Sequence, residues 1–524
     1  MSRPDDCIIE AGTILCGLGA DGQMLLRHDA AMRIHEGKIA HIGSIEAARS
    51  GESDLPVSGG RHLIAMPGLV NSHHHFGLTP LMMGVPFAPL ELWLPQFRAM
   101  RQIGSRLDTL YSAIEMLESG TTTVHHINSG LTGAPEDWWE TTDAILGAYG
   151  EIGMRAGYSF MMRDRNLLTY EDDAAVLAAM PPEVAAWLAP RLAAAAVPTS
   201  EHMSFFVASK AAWEARASGR VRMHLAPANL HWCSDESLQL IFETARAEGA
   251  NVHMHLLETE RQAEFARNRY GHSAVEHLAA LGCLGPELTL GHGNWMSRHD
   301  LDLVAECGCT MCHNASSGLR LGSGIAPVNQ MRKRGIPVAL GIDQSNIADD
   351  RDMLLEMKLV WALHRETGLW NDRPDAGEVI RMATEHGARS AGFQASVGRL
   401  EPGFEADIVL LSREAVERPL VDRRTPIAET VLHRAGKGAI EKVFVGGRLV
   451  VDAGCVIGID RDAVMAEIKA RLARPETNTE IEAWDMVQAM MPHLEAFNRQ
   501  HAQAGSYRPY RYNAMSDPGA SDTP

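Results

Sequence analysis

From Ile64 onward the chain alternates between short runs rich in Val, Ile, Leu, Met or Thr and longer stretches with helical patterning. Eight such runs can be read, over residues 64–75, 121–127, 155–162, 221–228, 251–258, 288–295, 309–316 and 337–344. Eight β/α units predict an α/β fold, either a closed (β/α)8 barrel or an open doubly wound sheet. The polar residues separate the two, because His, Asp, Glu and Asn gather at the C-terminal end of nearly every run. In a barrel those ends converge on one face, whereas an open sheet would not bring the first, fifth, sixth and eighth strands to one point. A (β/α)8 TIM-like barrel is therefore the expected core.

The flanks differ in texture. Residues up to about 63 alternate as short strands with turns, and Glu36-Gly37-Lys38 reads as a hairpin turn. Strand-like runs return at 403–411 and 442–451, the second with a Gly446-Gly447 turn. The simplest arrangement is a small β-sandwich domain built from both chain ends, with the barrel inserted in it. That gives 1–63 and 397–470 to the β domain, 64–396 to the barrel, and 471–524 to a helical extension with a polar, disordered tail. Between 167 and 219 lies an Ala-rich helical stretch interrupted by Pro190, which enlarges the third β/α connection.

A formal charge of −18 over 524 residues opposes phosphate backbones and anionic lipid heads. Nucleic acid and membranes are thus not expected partners, and a neutral or cationic small molecule is. No uncharged apolar run is long enough to span a bilayer, and the N-terminus opens on Arg3, Asp5 and Asp6 rather than on a leader, so a cytoplasmic protein is expected. Eight cysteines spread over this length build no disulfide framework, which fits a reducing compartment. Cys307, Cys309 and Cys312 stand close together, but no second pair at zinc-ribbon spacing follows. They read as small apolar residues of a buried strand.

The chemistry concentrates at the ends of the runs. In Pro67-Gly-Leu-Val-Asn-Ser-His73-His74-His75, strand alternation turns His73 and His75 to the interior and His74 away, so that two imidazoles can share one ion. In Asn251-Val-His253-Met-His255-Leu-Leu-Glu258 the same spacing puts His253 and His255 on one face, with Glu258 just beyond the strand. Metal-assisted hydrolysis needs ligands that stay deprotonated at neutral pH and a carboxyl near the water, and this motif supplies both. His253 reads as a satisfied histidine deeper in the core. His292, between Gly291 and Gly293, has room beside it for a ligand and can donate a hydrogen bond to a developing oxyanion. An Asp after a strand is usually a cap, but Asp343 stands at the same face as the histidines.

These pieces, together with Ser119-Gly-Thr-Thr-Thr-Val124, the segment from His313 to Pro327 and Ala406-Asp-Ile-Val409, carry a resemblance. Up to about residue 455 the chain resembles the amidohydrolase superfamily, in its cytosine deaminase and chlorohydrolase-like branch. That branch includes triazine hydrolases, guanine and 8-oxoguanine deaminases and S-adenosylhomocysteine deaminases. The resemblance implies His73, His75, His255 and Asp343 as metal ligands, Glu258 as acid/base shuttle with Asp343 sharing the proton, and His292 as the group that polarises the substrate. Binuclear relatives carry a carboxylated lysine at the fourth strand end, and 221–229 has no lysine, so one divalent ion, Zn2+ or Fe2+, is implied. A homodimer is implied as well.

The activity implied is an aminohydrolase, or deaminase, acting on a nitrogen heterocycle, since Glu258 suits a leaving group that must be protonated. An amide, urea or carbamate hydrolase, or an aromatic dehalogenase, would use the same metal site, and a non-catalytic barrel would not need the full ligand set. At 315 and 318 the chain has Ala and Gly where relatives commonly carry Pro and Asn, which alters the substrate side of the site. Candidate substrate contacts are Trp93, which would either stack on a planar ring or pack a helix, one of His125 and His126, His231 past the fourth run, and Ser317.

Overall fold

The computed structural model describes residues 6–49, 54–131, 133–369, 372–501 and 512–516. Eight parallel strands form its centre: Leu69–His74, Thr121–Asn128, Arg155–Met162, Val221–Met223, Val252–Leu256, Leu288–His292, Thr310–His313 and Val338–Leu340. The first four pair in chain order and so do the last four, giving two parallel sheets. Isolated parallel bridges span both gaps, Leu225 with Val252 on one side and His74 with Asp343 on the other. At the second gap the Asp343 N–H donates to the His73 carbonyl at 2.8 Å, so the first and eighth strands hold each other where the candidate ligands sit.

The run 64–75, expected as one strand, is two. Val57–Pro67 ends in a separate mixed sheet, and the chain crosses to Leu69–His74 at Gly68. A Cβ on Gly68 would lie 2.1 Å from Thr122 Oγ1, so only glycine allows the chain to pass this close to the second strand. The mixed sheet has eight strands: Cys7–Leu18, Met24–His35, Lys38–Gly43 and Val57–Pro67 from the N-terminal side, and Ile408–Ser412, Ile440–Val445, Arg448–Asp452 and Cys455–Val456 from the C-terminal side. Both expected turns occur, at 36–37 and 446–447. The seam between the chain ends is the antiparallel pairing of Val57–Pro67 with Ile408–Ser412. The expected sandwich of two sheets is corrected here: hydrogen bonding runs unbroken across all eight strands. This single sheet curls around its own core of Ile9, Ile14, Met32, Ile34, Ile408 and Phe444. Ala406 ties its two limbs, donating to the Gly37 carbonyl and accepting from the Gly447 N–H.

The 167–219 stretch forms helices Asp173–Ala178, Pro182–Ala195 and Thr199–Arg216. Pro190 lies inside the second helix and does not end it. The C-terminal helix Asn478–His501 lays Val487, Met490, Leu494 and Phe497 against Val184, Trp187, Leu188 and Leu192 of that helix. Insertion and extension, far apart in the sequence, thus bury each other's apolar faces. Of the tail expected to be disordered, Ala514–Ser516 form a 3-10 turn, and 517–524 lie outside the described residues. Among the described residues no helix is long and apolar enough to cross a membrane.

Candidate metal site

Strand geometry delivers the histidines. His73, with His75 just past the end of its strand, faces the space between the two parallel sheets, while His74 turns outward to Ser112 Oγ at 3.1 Å. His75 Nε2 lies 3.0 Å from His73 Nε2 and 3.1 Å from His255 Nε2. Asp343 Oδ1 stands 3.3 Å from His75 Nε2 and 3.7 Å from His73 Nε2. Ligands held at about 2.1 Å from one ion stand roughly 3 to 4 Å from one another, and these four separations meet that spacing. The backbone is bent to achieve this. His292 and Asp343 take positive φ angles of 70° and 63°, a region that non-glycine residues occupy at a cost, and such strain gathers at functional sites.

The outer atoms of the candidate ligands are tied down. His75 Nδ1 donates to the Ile127 carbonyl at 2.8 Å and His255 Nδ1 to the Ala228 carbonyl at 2.9 Å, which leaves both Nε2 lone pairs aimed inward. Ser317 Oγ donates to Asp343 Oδ2 at 2.5 Å, while the buried Oδ1 has no hydrogen-bond partner among the described residues. A buried carboxylate oxygen with no donor is costly unless a cation faces it. The donor set therefore fits a divalent ion.

Burial dominates the electrostatics. It raises Asp343 to about 7 and pushes His75 down to about 4 and His292 down to about 3, so the imidazoles are neutral and free to coordinate or donate. Glu258 is held well above the ordinary carboxylate range by burial and by the nearby charges of Asp343 and Glu91. Its Oε2 lies 3.8 Å from His292 Nε2. Its backbone is fixed on both sides, the N–H donating to Gln262 Oε1 at 2.8 Å and the carbonyl accepting from Asn294 Nδ2 at 2.8 Å. A buried carboxyl whose proton affinity is raised by burial thus faces a neutral imidazole beside the candidate ligands.

The remaining candidates separate. His125 points inward, below the ligands, with Nε2 3.1 Å from Ser159 Oγ and its ring against His253, while His126 points outward to the Tyr149 hydroxyl at 2.9 Å. His231 packs on Tyr170 and lines a cavity of about 340 Å³ with Glu91, Arg163, Trp232 and Asn498. At Phe97 and Ser129 this cavity meets another of about 260 Å³ that reaches His75. Trp93 is fully buried between Phe87 and Phe97, so of its two readings the structure displays the packing one. Ser317 touches a candidate ligand, Asp343. Sequence reasoning gave His253 no part in the site, yet it sits 2.9 Å from His73 Nδ1, and its shared face with His255 was a usable signal. It also passed over Asn71, whose Oδ1 accepts from the N–H groups of His73 and Ile342 and pins the first strand to the eighth. Cys312 Sγ lies within the same cluster as His73 and His253.

Known proteins share this arrangement of chain and fold. The amidohydrolase family model matches residues 64–450. The chain is similar to a 5'-deoxyadenosine deaminase of Methanosarcina barkeri, 28% identical over 86% of this chain and 94% of that one. A 5-methylthioadenosine/S-adenosylhomocysteine deaminase of Shouchella clausii is 30% identical over 78% of this chain and 86% of its own length. Among solved structures, a zinc-bound adenosine deaminase of Xanthomonas campestris superposes with a TM-score of 0.74 at 23% identity, covering 90% of this chain and 99% of the other. A triazine hydrolase of Arthrobacter aurescens gives 0.76 at 21%, over 90% and 100%. The chain belongs to the amidohydrolase family, with an α/β fold of TIM-barrel type.

Proposed function

We propose that this protein is a metal-dependent aminohydrolase that removes an amino group from a nitrogen heterocycle. His73, His75, His255 and Asp343 would hold one divalent ion, zinc or iron(II). The two bridged parallel sheets act in this reading as one closed (β/α)8 barrel with the ligands at its mouth, flanked by the curled β domain and the C-terminal extension as separate units. The observation that carries the proposal is the buried Glu258 carboxyl facing His292 at 3.8 Å beside an unpartnered Asp343 oxygen. The curated relatives named above support the substrate class, since their names specify deamination of adenine nucleosides and their thioether derivatives. A soluble homodimer in the cytoplasm completes the reading, and sedimentation of the purified protein tests the dimer.

A bound divalent ion supplies the Lewis acidity that makes water a nucleophile near neutral pH. The Asp343 carboxylate, held by the Ser317 hydroxyl, would take up the proton that this water gives up. Glu258, protonated at rest in this reading, would deliver its proton to a ring nitrogen, take up the hydroxyl proton of the tetrahedral centre and pass it to the departing amine, so that the carbon–nitrogen bond breaks as ammonia leaves and a ring carbonyl remains; the proton held on Asp343 would then restore Glu258. His292 holds the oxygen side of the tetrahedral centre through a neutral N–H. The flank formed by Ala315, Ser317 and Gly318 belongs to the helix Ala315–Arg320, which buries Ser316 and Ser317.

Ammonia release over a panel of adenine nucleosides, other purines, pyrimidines, pterins, triazines and aryl amides tests this. A hit among the amines with none among the amides or chlorotriazines is expected. In the responsive assay Glu258→Gln should lower turnover by at least about a thousandfold while the protein still binds one zinc. Activity of E258Q within tenfold of the parent would sink the mechanism.

A further inference from the structure

Below the candidate ion a file of buried histidines descends between the sheets. His73 Nδ1 lies 2.9 Å from His253 Nε2. The His253 ring meets the His125 ring edge-on at a centroid distance of 4.9 Å, and His125 meets His224 at 5.0 Å. All four side chains are buried. The contact between the first two is built for: a Cβ on Gly291, on the neighbouring strand, would press on His73 Cε1 at 3.2 Å and His253 Nε2 at 3.3 Å. Glycine at 291 leaves the space in which the two rings meet.

The chemistry of imidazole then dictates the roles. A neutral ring carries one proton, so if His73 offers its Nε2 lone pair toward His75 and Asp343, the proton must sit on Nδ1. That N–H points at His253 Nε2, which must accept. We infer that His253 is a positioning residue for the metal centre, accepting the His73 Nδ1 proton and so fixing the tautomer and ring orientation that present His73 Nε2 to the ion. The inference rests on the metal-site reading given above. His253 lies on the strand Val252–Leu256, two residues before His255, so one strand supplies both a ligand and the acceptor behind another ligand. His125 packs against its ring and His224 packs in turn against His125. Acceptors of this kind typically govern metal affinity by ten- to a hundredfold.

Two substitutions separate acceptor from filler. His253→Phe keeps an aromatic ring without an acceptor, and His253→Gln keeps an acceptor at the reach of Nε2 with a poorer fit to the core. Apo protein of each form is titrated with Zn2+ against a chromophoric chelator, and its melting temperature is measured without metal. H253F is expected to bind zinc about ten- to a hundredfold more weakly than the parent, and H253Q to recover most of that loss whatever its melting temperature. Zinc affinity of H253F within twofold of the parent would overturn the inference, as would affinity that follows melting temperature and leaves H253Q no better than H253F. Should H253F fail to fold, H253Q against His253→Leu makes the same comparison. Cobalt(II) loading adds an independent reading: a thiolate-to-cobalt charge-transfer band that disappears in Cys312→Ser would put Cys312 in the coordination sphere, seating the ion in the His73, His253 and Cys312 group, and overturn the positioning role. A parent protein that binds no divalent ion sinks the metal reading and this inference together, whereas normal binding in every variant sinks only the inference.

Discussion

Asp343 shows how a single side chain is divided between two tasks. Its Oδ2 takes the Ser317 hydroxyl at 2.5 Å and its Oδ1 is left to the ligand cluster. Ser317→Ala should free the carboxylate to rotate and weaken zinc binding by about tenfold, read by chelator competition, with little change in the melting temperature of the apo protein. An unchanged affinity would return Ser317 to the role of a substrate contact. Period-two alternation along the strand is enough by itself to turn His73 inward and His74 outward. The same rule separates His125 from His126, but only once the strand's register is known. Trp93 was not legible, because whether it stacks on a ligand or on Phe87 and Phe97 depends on how the loop folds.

At the scale of elements, a buried guanidinium ties the third parallel strand to the mixed sheet. Arg155 opens the third parallel strand and donates to both oxygens of Asp407 at 3.0 Å and to Glu405 Oε2 at 3.1 Å. Asp407 also accepts the Gly446 N–H at 2.7 Å, so strand, sheet edge and hairpin turn share one ion pair. Removing one partner leaves the other's buried charge without its two-pronged ion pair, which costs roughly 3–5 kcal/mol. Arg155→Leu and Asp407→Leu should each lower the urea-unfolding free energy by about that much, and the double replacement by clearly less than the sum. Additive losses would show that the pair is not coupled. Nothing local marks this clasp, since its partners stand 252 residues apart. The eight strands were legible as apolar runs, yet the crossing from one sheet to the other inside 64–75 was not, because both strands read as a single apolar run.

For the molecule as a whole, buried histidines set the response to acid. His202, stacked on Trp138 at 4.8 Å, is pushed down to about 4 by burial, and His364 and His386 likewise to about 4. The unfolded chain takes up these protons near 6.5 and the folded chain only near 4, so below 6.5 the unfolded form binds more protons. Stability is therefore full above about pH 6.5 and falls as pH drops toward 4, by on the order of 2 to 3 kcal/mol for His202. His202→Phe keeps the stack and removes this proton uptake, so its urea midpoint should fall less between pH 6.5 and 4 than the parent's; parallel curves would refute the assignment. By itself the sequence determined the eight apolar runs that carry the parallel strands and the shared faces of His73 with His75 and of His253 with His255, because side-chain alternation and apolar patterning are local properties. Only the tertiary structure decided what stands behind those residues: Ser317 behind Asp343, His253 behind His73, Arg155 beneath the sheets and the C-terminal helix against the insertion. Those pairings depend on how distant strands close on one another, and strand patterning carries no record of which strand ends will meet.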